Sequence, residues 1–232
     1  MGKSFGKLEK KEIVHFCNSV SHSSDFKKRI NLYLRKSYPS PFPHLLGFDG
    51  LPSFEFYAEK VALSSPDENY LLRILKNNIK GEFEAHLLHP EKEKYQYVFI
   101  FLDDLKRDYL TDSHGRVNLG QVDLELYQIE ASLCSPSAIF DIKPSTNQLP
   151  FAFQPCFATP GLENTELQIE FFTDQKTRIL KAQALNLPEE VEIKKMALIV
   201  DESEILLAVP QKGLAIFELP EKSGVFQINF YE

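Results

Sequence analysis

From residue 82 onward the chain is built of short runs in which apolar residues fall at every second position. EFEAHL (82–87) sets Phe83, Ala85 and Leu87 on one side and Glu82, Glu84 and His86 on the other. Side chains of an extended strand alternate between faces, so a period of two specifies a half-buried strand and excludes a helix. YQYVFIFL (95–102) is apolar on both sides, the pattern of a central strand. It follows the polar tip HPEKEK, so the two runs are expected to pair as a hairpin with a long loop. Further strands are expected at 117–131, 138–142, 166–173, 177–186, 191–200, 204–209, 214–219 and 225–231. Within them MALIVDESEILLAV reads as another hairpin, turning at Asp201, Glu202 and Ser203. Short strands in such number, divided by turn signals, point to an antiparallel sandwich or barrel and not to an alternating α/β sheet.

The first third carries a different rhythm. Ile13, Phe16, Cys17 and Val20 recur at helical spacing, and Ser24 with Asp25 can cap a second helix striped by Phe26, Ile30, Tyr33 and Leu34. Prolines 39, 41, 43 and 52 then impose an extended connector, because each removes a backbone donor and restricts the residue before it. A strand is expected at 54–63. Ser65 and Pro66 next open a short helix that buries some of Leu71, Leu72, Ile74, Leu75 and Ile79, and Gly81 closes it. The expected architecture is mainly β, α+β overall. A helical N-terminal region with its proline-rich connector (1–80) packs on an antiparallel β-sandwich-like domain (81–232).

Hydrophobic residues at 43% and charged residues at 25% fit a globular chain, and no apolar run approaches the roughly 20 residues of a membrane helix. The N-terminus lacks the apolar stretch of a signal peptide, and Gly6 stands where N-myristoylation wants a hydroxyl residue. Three widely spaced cysteines (Cys17, Cys134, Cys156) suit a reducing compartment, so a cytoplasmic location is expected. Net charge is −7, unevenly spread: residues 1–36 hold nine Lys/Arg against three acids, a net of +6 that leaves −13 for the rest. Lys27, Lys28, Arg35 and Lys36 on the second helix therefore form a candidate patch for nucleic acid or an acidic partner, with Tyr33 and Tyr38 near enough to stack on bases. The acidic remainder repels a polyanion everywhere else.

FLDDLKRDYLTDSHGRVNLG (101–120) concentrates Asp103, Asp104, Asp108, Asp112 and His114. Carboxylates at a strand end can hold Mg²⁺ or Mn²⁺ for phosphodiester chemistry, with Asp103, Asp104 and Asp108 as the ligand set. Adjacent strand residues face opposite ways, however, and the supporting E-x-K, Glu192–Lys194, lies far downstream. The plainer reading is a turn in which Asp112 accepts from following amides and Gly115 supplies a positive φ. TDSHGRVNLG resembles the hairpin T-D-x-x-G-R-x-x-L-G of immunoglobulin-like and macroglobulin-like β-sandwich domains, and what this implies is a sandwich, not an activity.

His86 and His89 point to opposite faces of a strand, so no zinc pair is expected. Neither a phosphate-cradling glycine loop nor a G-x-S-x-G elbow occurs. Residues 143–165 read as a proline-broken connector carrying Phe151, Phe153, Cys156 and Phe157, side chains that favour burial against the chain's own core or a partner. The expected function is therefore a non-enzymatic protein-binding or assembly subunit of a cytoplasmic complex, without a cofactor, contacting its partner through Phe151, Phe153 and Phe157. The alternatives are a metal-dependent nuclease or phosphoesterase and a nucleic-acid-binding subunit of a ribonucleoprotein.

Overall fold

The computed structural model describes residues 19–20, 29–34, 57–124, 129–144, 151–157, 162, 164–173, 178–202, 204–220 and 225–232. Residues 19, 20, 104, 143, 144, 151–157 and 173 are described by their backbone alone. The described chain is almost wholly antiparallel β, interrupted by 3-10 turns at Lys92–Lys94 and Asp103–Leu105. Among the described residues no helix is long and apolar enough to cross a membrane. The described strands divide between two compact units, Cys17–Ser135 and Pro136–Glu232, each with its own core.

In the first unit the strands are β1 (Ser19–Val20), β2 (Ile30–Leu34), β3 (Tyr57–Ser64), β4 (Leu71–Asn77), β5 (Phe83–Leu88), β6 (Phe99–Leu102), β7 (Arg107–Leu110), β8 (Arg116–Gly120) and β9 (Ala131–Cys134). They form one nine-stranded sheet in the order β1-β7-β6-β9-β2-β3-β4-β5-β8. Because β7 and β8 stand at or beside opposite ends of that order yet are joined by a tight turn, the sheet curls into a nearly closed, barrel-like form. At that turn the Asp112 amide donates to the Arg116 carbonyl at 2.8 Å. Inward positions recur with period two: Leu72 and Ile74 on β4, Phe83, Ala85 and Leu87 on β5, Val117 and Leu119 on β8. On β6 both Phe99 and Ile100 are buried, as a strand apolar on both faces requires.

Pro136–Glu232 contains β10 (Ala138–Pro144), β11 (Phe151–Phe157), β12 (Glu166–Thr173), β13 (Arg178–Leu185), β14 (Lys195–Val200), β15 (Glu204–Ala208), β16 (Leu214–Leu219) and β17 (Phe226–Tyr231). A five-stranded sheet, β11-β10-β17-β14-β15, and a three-stranded sheet, β12-β13-β16, bury their apolar sides in one common core. Phe140, Leu198, Ile228 and Phe230 enter it from the first sheet, Leu180, Ala182 and Phe217 from the second. The ring of Phe171 meets that of Phe226 at 5.8 Å across it. The expected hairpin of β14 and β15 is present, with Met196 opposite Ala208 and both Asp201 and Glu202 at positive φ in its turn.

Several expectations change. Most of the anticipated N-terminal helical region lies outside the described residues, and the part within them, Ile30–Leu34, is strand β2. Of its supposed apolar stripe, Tyr33 is 54% exposed and Leu34 41%, while Leu32 enters the core. The helix expected after Ser65 is instead a turn leading into β4. Ser65 still behaves as a cap, since its hydroxyl accepts from the Tyr70 amide at 3.0 Å and donates to Asp67, but it closes a loop between strands. The boundary expected after residue 80 falls inside the β4–β5 hairpin, where Asn77 Oδ1 accepts from the amides of Ile79 and Lys80. EFEAHL and YQYVFIFL do not pair: β5 lies between β4 and β8, and β6 between β7 and β9.

Candidate protein-binding face

The aspartate stretch resolves into a hairpin and a turn. Asp103 is exposed in the 3-10 turn that ends β6, whereas Asp108 is fully buried in β7 with its backbone opposite Phe101. Asp104 is described by backbone only. Among the described residues no three His, Cys, Asp or Glu side chains gather as a metal ion would require. Asp112 does what the turn reading asks of it. Its Oδ1 accepts from the amides of His114 and Arg116, each at 2.8 Å, and Gly115 takes φ +73°. The amides served are two and four residues on, so this one carboxylate spans the whole turn.

The basic patch Lys27, Lys28, Arg35 and Lys36 lies outside the described residues. The expected Phe-rich connector is no loop, because Phe151–Phe157 form β11, paired along its length with β10. Phe153 stands opposite Ile142 and Phe157 opposite Ala138 in register, and both partners belong to the unit's core. Pro155 sits in this strand, a residue without an amide donor. That position is tolerated because β11 is the edge of its sheet. His89, just past β5, meets Tyr70 in a tilted ring contact with centroids 4.5 Å apart.

Two outward sheet faces carry chemistry that the local sequence did not announce. On the first, strand register aligns Arg73, His86 and Arg116 across β4, β5 and β8. Like charges placed directly opposite in a sheet repel, so such a row needs nearby acids. Glu59 pairs with Arg73, and Glu84 accepts from the Tyr57 hydroxyl at 2.9 Å and lies 3.2 Å from the His86 Nε2. The Glu84 carboxylate, helped by burial, raises the Tyr57 pKa above its usual 10.0. His86 goes the other way, below its usual 6.5. Burial disfavours the imidazolium, the Glu84 hydrogen bond opposes that, and the Arg116 charge adds to the depression.

A depressed folded-state pKa means that the unfolded chain takes up this proton first. The contribution of neutral His86 is whole above about pH 6.5 and is lost as pH falls through the lower folded value. His86→Gln should flatten the pH dependence of stability in that acid window, read by urea melts at stepped pH. An unchanged slope in the variant would show that other groups set it.

The second face is the outer side of the three-stranded sheet. Its inner residues alternate into the core, and its outer positions mix apolar Phe172, Ile179, Leu185, Leu214 and Ile216 with polar Glu166, Gln168, Glu170, Lys181, Gln183 and Glu218. Phe172 is 39% exposed and lies opposite Ile179, with the Lys181 ammonium 4.3 Å above its ring. Ile216 stands opposite Lys181, and Glu218 opposite Ile179, so Ile216 neighbours Ile179 on the diagonal and the two charges flank that pair. A solvated sheet face is ordinarily polar, and apolar side chains grouped among charges, as Phe172, Ile179 and Ile216 are, make a surface from which protein interfaces are built. Sequence alone hinted at it only in FFT (171–173), where two aromatic residues in succession must occupy both faces of a strand. Comparison with known proteins leaves the geometry to speak for itself, since no family model, no curated protein and no solved structure matches the chain.

Proposed function

We infer that the chain is a non-enzymatic protein-binding or assembly subunit whose contact surface is the outer face of β12, β13 and β16. The observation that carries the reading is the apolar strip through Phe172, Ile179 and Ile216 on the side of the sheet turned from its core. Burying a strip of this kind against another protein is favourable at about 25 cal/mol per Å² of apolar surface, and the Lys181 and Glu218 charges at its border would orient the partner. A cytoplasmic setting belongs to the same proposal, supported by the few cysteines, of which Cys134 is a buried thiol. The metal-dependent alternative draws no support from an exposed Asp103 and a buried Asp108. The nucleic-acid alternative rests on residues outside those described.

The test is affinity capture from the native source with cross-linking and mass spectrometry, comparing the natural chain with Ile179→Lys combined with Ile216→Glu. Each new charge stands opposite one of the other sign, Glu218 or Lys181, so the fold is expected to survive, which circular dichroism would verify. A partner bound through this strip should be recovered about tenfold less by the double variant. Equal recovery would remove the face from consideration.

A further inference from the structure

The three-stranded sheet also has an unusual edge. An exposed strand edge offers a row of backbone donors and acceptors to any other chain, and natural sheets blunt such edges with proline, bulges, shortness or inward charges. The other sheet ends in Pro136–Glu232 are protected in these ways. β11 contains Pro155, and β15 is five residues long and runs into Val209 and Pro210. β16 lies beside β15. Of such devices β12 has only the exposed carboxylates of Glu166 and Glu170. It pairs with β13 through eight consecutive residues without a register shift, contains no proline, and turns only Leu167, Ile169 and Phe171 inward. Among the described residues nothing pairs with its other side.

The inward side chains of β12 are also incompletely covered. Leu167, Ile169 and Phe171 are partly buried, whereas Ala184, Ala182 and Leu180 opposite them on β13 are fully so. Something added at this edge would finish the core layer.

We propose that β12 pairs antiparallel with β12 of a second copy of this chain, about a twofold axis beside Ile169, joining two three-stranded sheets into one of six. The sequence of the strand selects both the occupant and the register. In an antiparallel pair the core side continues only if residues of the same parity stand opposite. Centring the pair on Ile169 sets Ile169 against its own copy and Leu167 against Phe171, so all inward contacts are apolar. On the outer side Gln168 then faces Glu170, an amide donor against a carboxylate, and Glu166 faces Phe172, over which the Lys181 ammonium lies. Moving the centre to Gln168 brings Glu166 against Glu170, and moving it to Glu170 sets that carboxylate against its own copy. Like charges opposite one another reject both registers, and centres at Leu167 or Phe171 pair only a short end of the strand, leaving the one that pairs most of β12 with every outer contact neutral or complementary. A twofold axis makes each favourable contact twice.

Sedimentation of the full chain from about 1 to about 500 µM tests this, since exposed edge pairing of modest area is expected to be a micromolar equilibrium. Gln168 lies opposite Gln183 within its own sheet and donates to Glu170 of its own strand at 3.4 Å, so Gln168→Glu also sets a carboxylate beside Glu170 and its fold is checked by circular dichroism, whereas Gln168→Lys meets no like charge there. Gln168→Glu creates two carboxylate pairs across the axis and should weaken dimerisation about tenfold. Gln168→Lys places an ammonium against Glu170 and should strengthen it by a similar factor. A monomer at all concentrations, or a dimer indifferent to both substitutions, would overturn the proposal. Because the readout is self-association of purified chain, it stands apart from capture of a different protein, and either result can fail without the other.

Discussion

Gly115→Ala is expected to destabilise the unit Cys17–Ser135 by about 2–5 kcal/mol, a large share of what holds a domain together. Two independent costs meet at this position. Its φ of +73° lies in the left-handed region, where a Cβ crowds the following carbonyl. That Cβ would also overlap the Leu87 carbonyl oxygen and stand 2.9 Å from the Tyr95 ring, and the first of these is backbone that cannot swing aside. The strands on either side are held to the same spot, for the Leu87 amide donates to the Gly115 carbonyl at 2.7 Å. Relief of the clash would therefore stretch the contact that brings β5 to the β7–β8 turn. Gly81→Ala supplies the comparison. Its φ is +71° but a Cβ there meets nothing within 4 Å, so only the conformational cost of about 1–2 kcal/mol remains. Urea denaturation of both variants separates the terms, and equal losses would mean that the close approach at Gly115 costs nothing.

What made this turn legible in the sequence is that its chemistry is local: Asp112, Gly115 and the amides between them are neighbours in the chain. The β14–β15 hairpin was legible for the same reason, since Asp201 and Glu202 separate two apolar runs. Leu71, Leu72, Ile74 and Leu75 misled because a cluster so dense satisfies either period. In the structure Leu72 and Ile74 fill the core while Leu71 and Leu75 lie on the other face of β4. Ser65 and Pro66 do not decide the matter, because a hydroxyl able to cap a helix serves as well to close a loop between strands, as that of Ser65 does on the Tyr70 amide. The prolines around Phe151–Phe157 suggest irregular chain, yet a strand at a sheet edge has no donor to lose on its free side. Neither outward face could be read locally. Arg116 is brought beside His86 only by a pairing across 30 residues, and Phe172, Ile179 and Ile216 come from three separate strands. Register between distant strands depends on which faces are buried, and that is settled by the fold as a whole.

Phe217→Ala should reveal how far the two cores stand alone. Phe217 is 2% exposed on β16, opposite Leu180 and within the layer shared by the two sheets of Pro136–Glu232. Truncating a buried Phe leaves a cavity that close-packed neighbours only partly fill, at about 3–5 kcal/mol. None of that layer's residues belongs to the core of Cys17–Ser135, which is built from Leu72, Ile74, Leu87, Ile100 and their neighbours. Cooperative units open together when they share a core and separately when they do not. Native-state hydrogen exchange should then show lost protection in β13, β14 and β17 while amides of β4 and β5 keep theirs. Leu72→Ala, fully buried in β4, should give the mirror image at about 2–5 kcal/mol. Equal loss of protection across both sets of strands, from either substitution, would mean that the two cores unfold as one and that the chain's stability is not divided where its packing is.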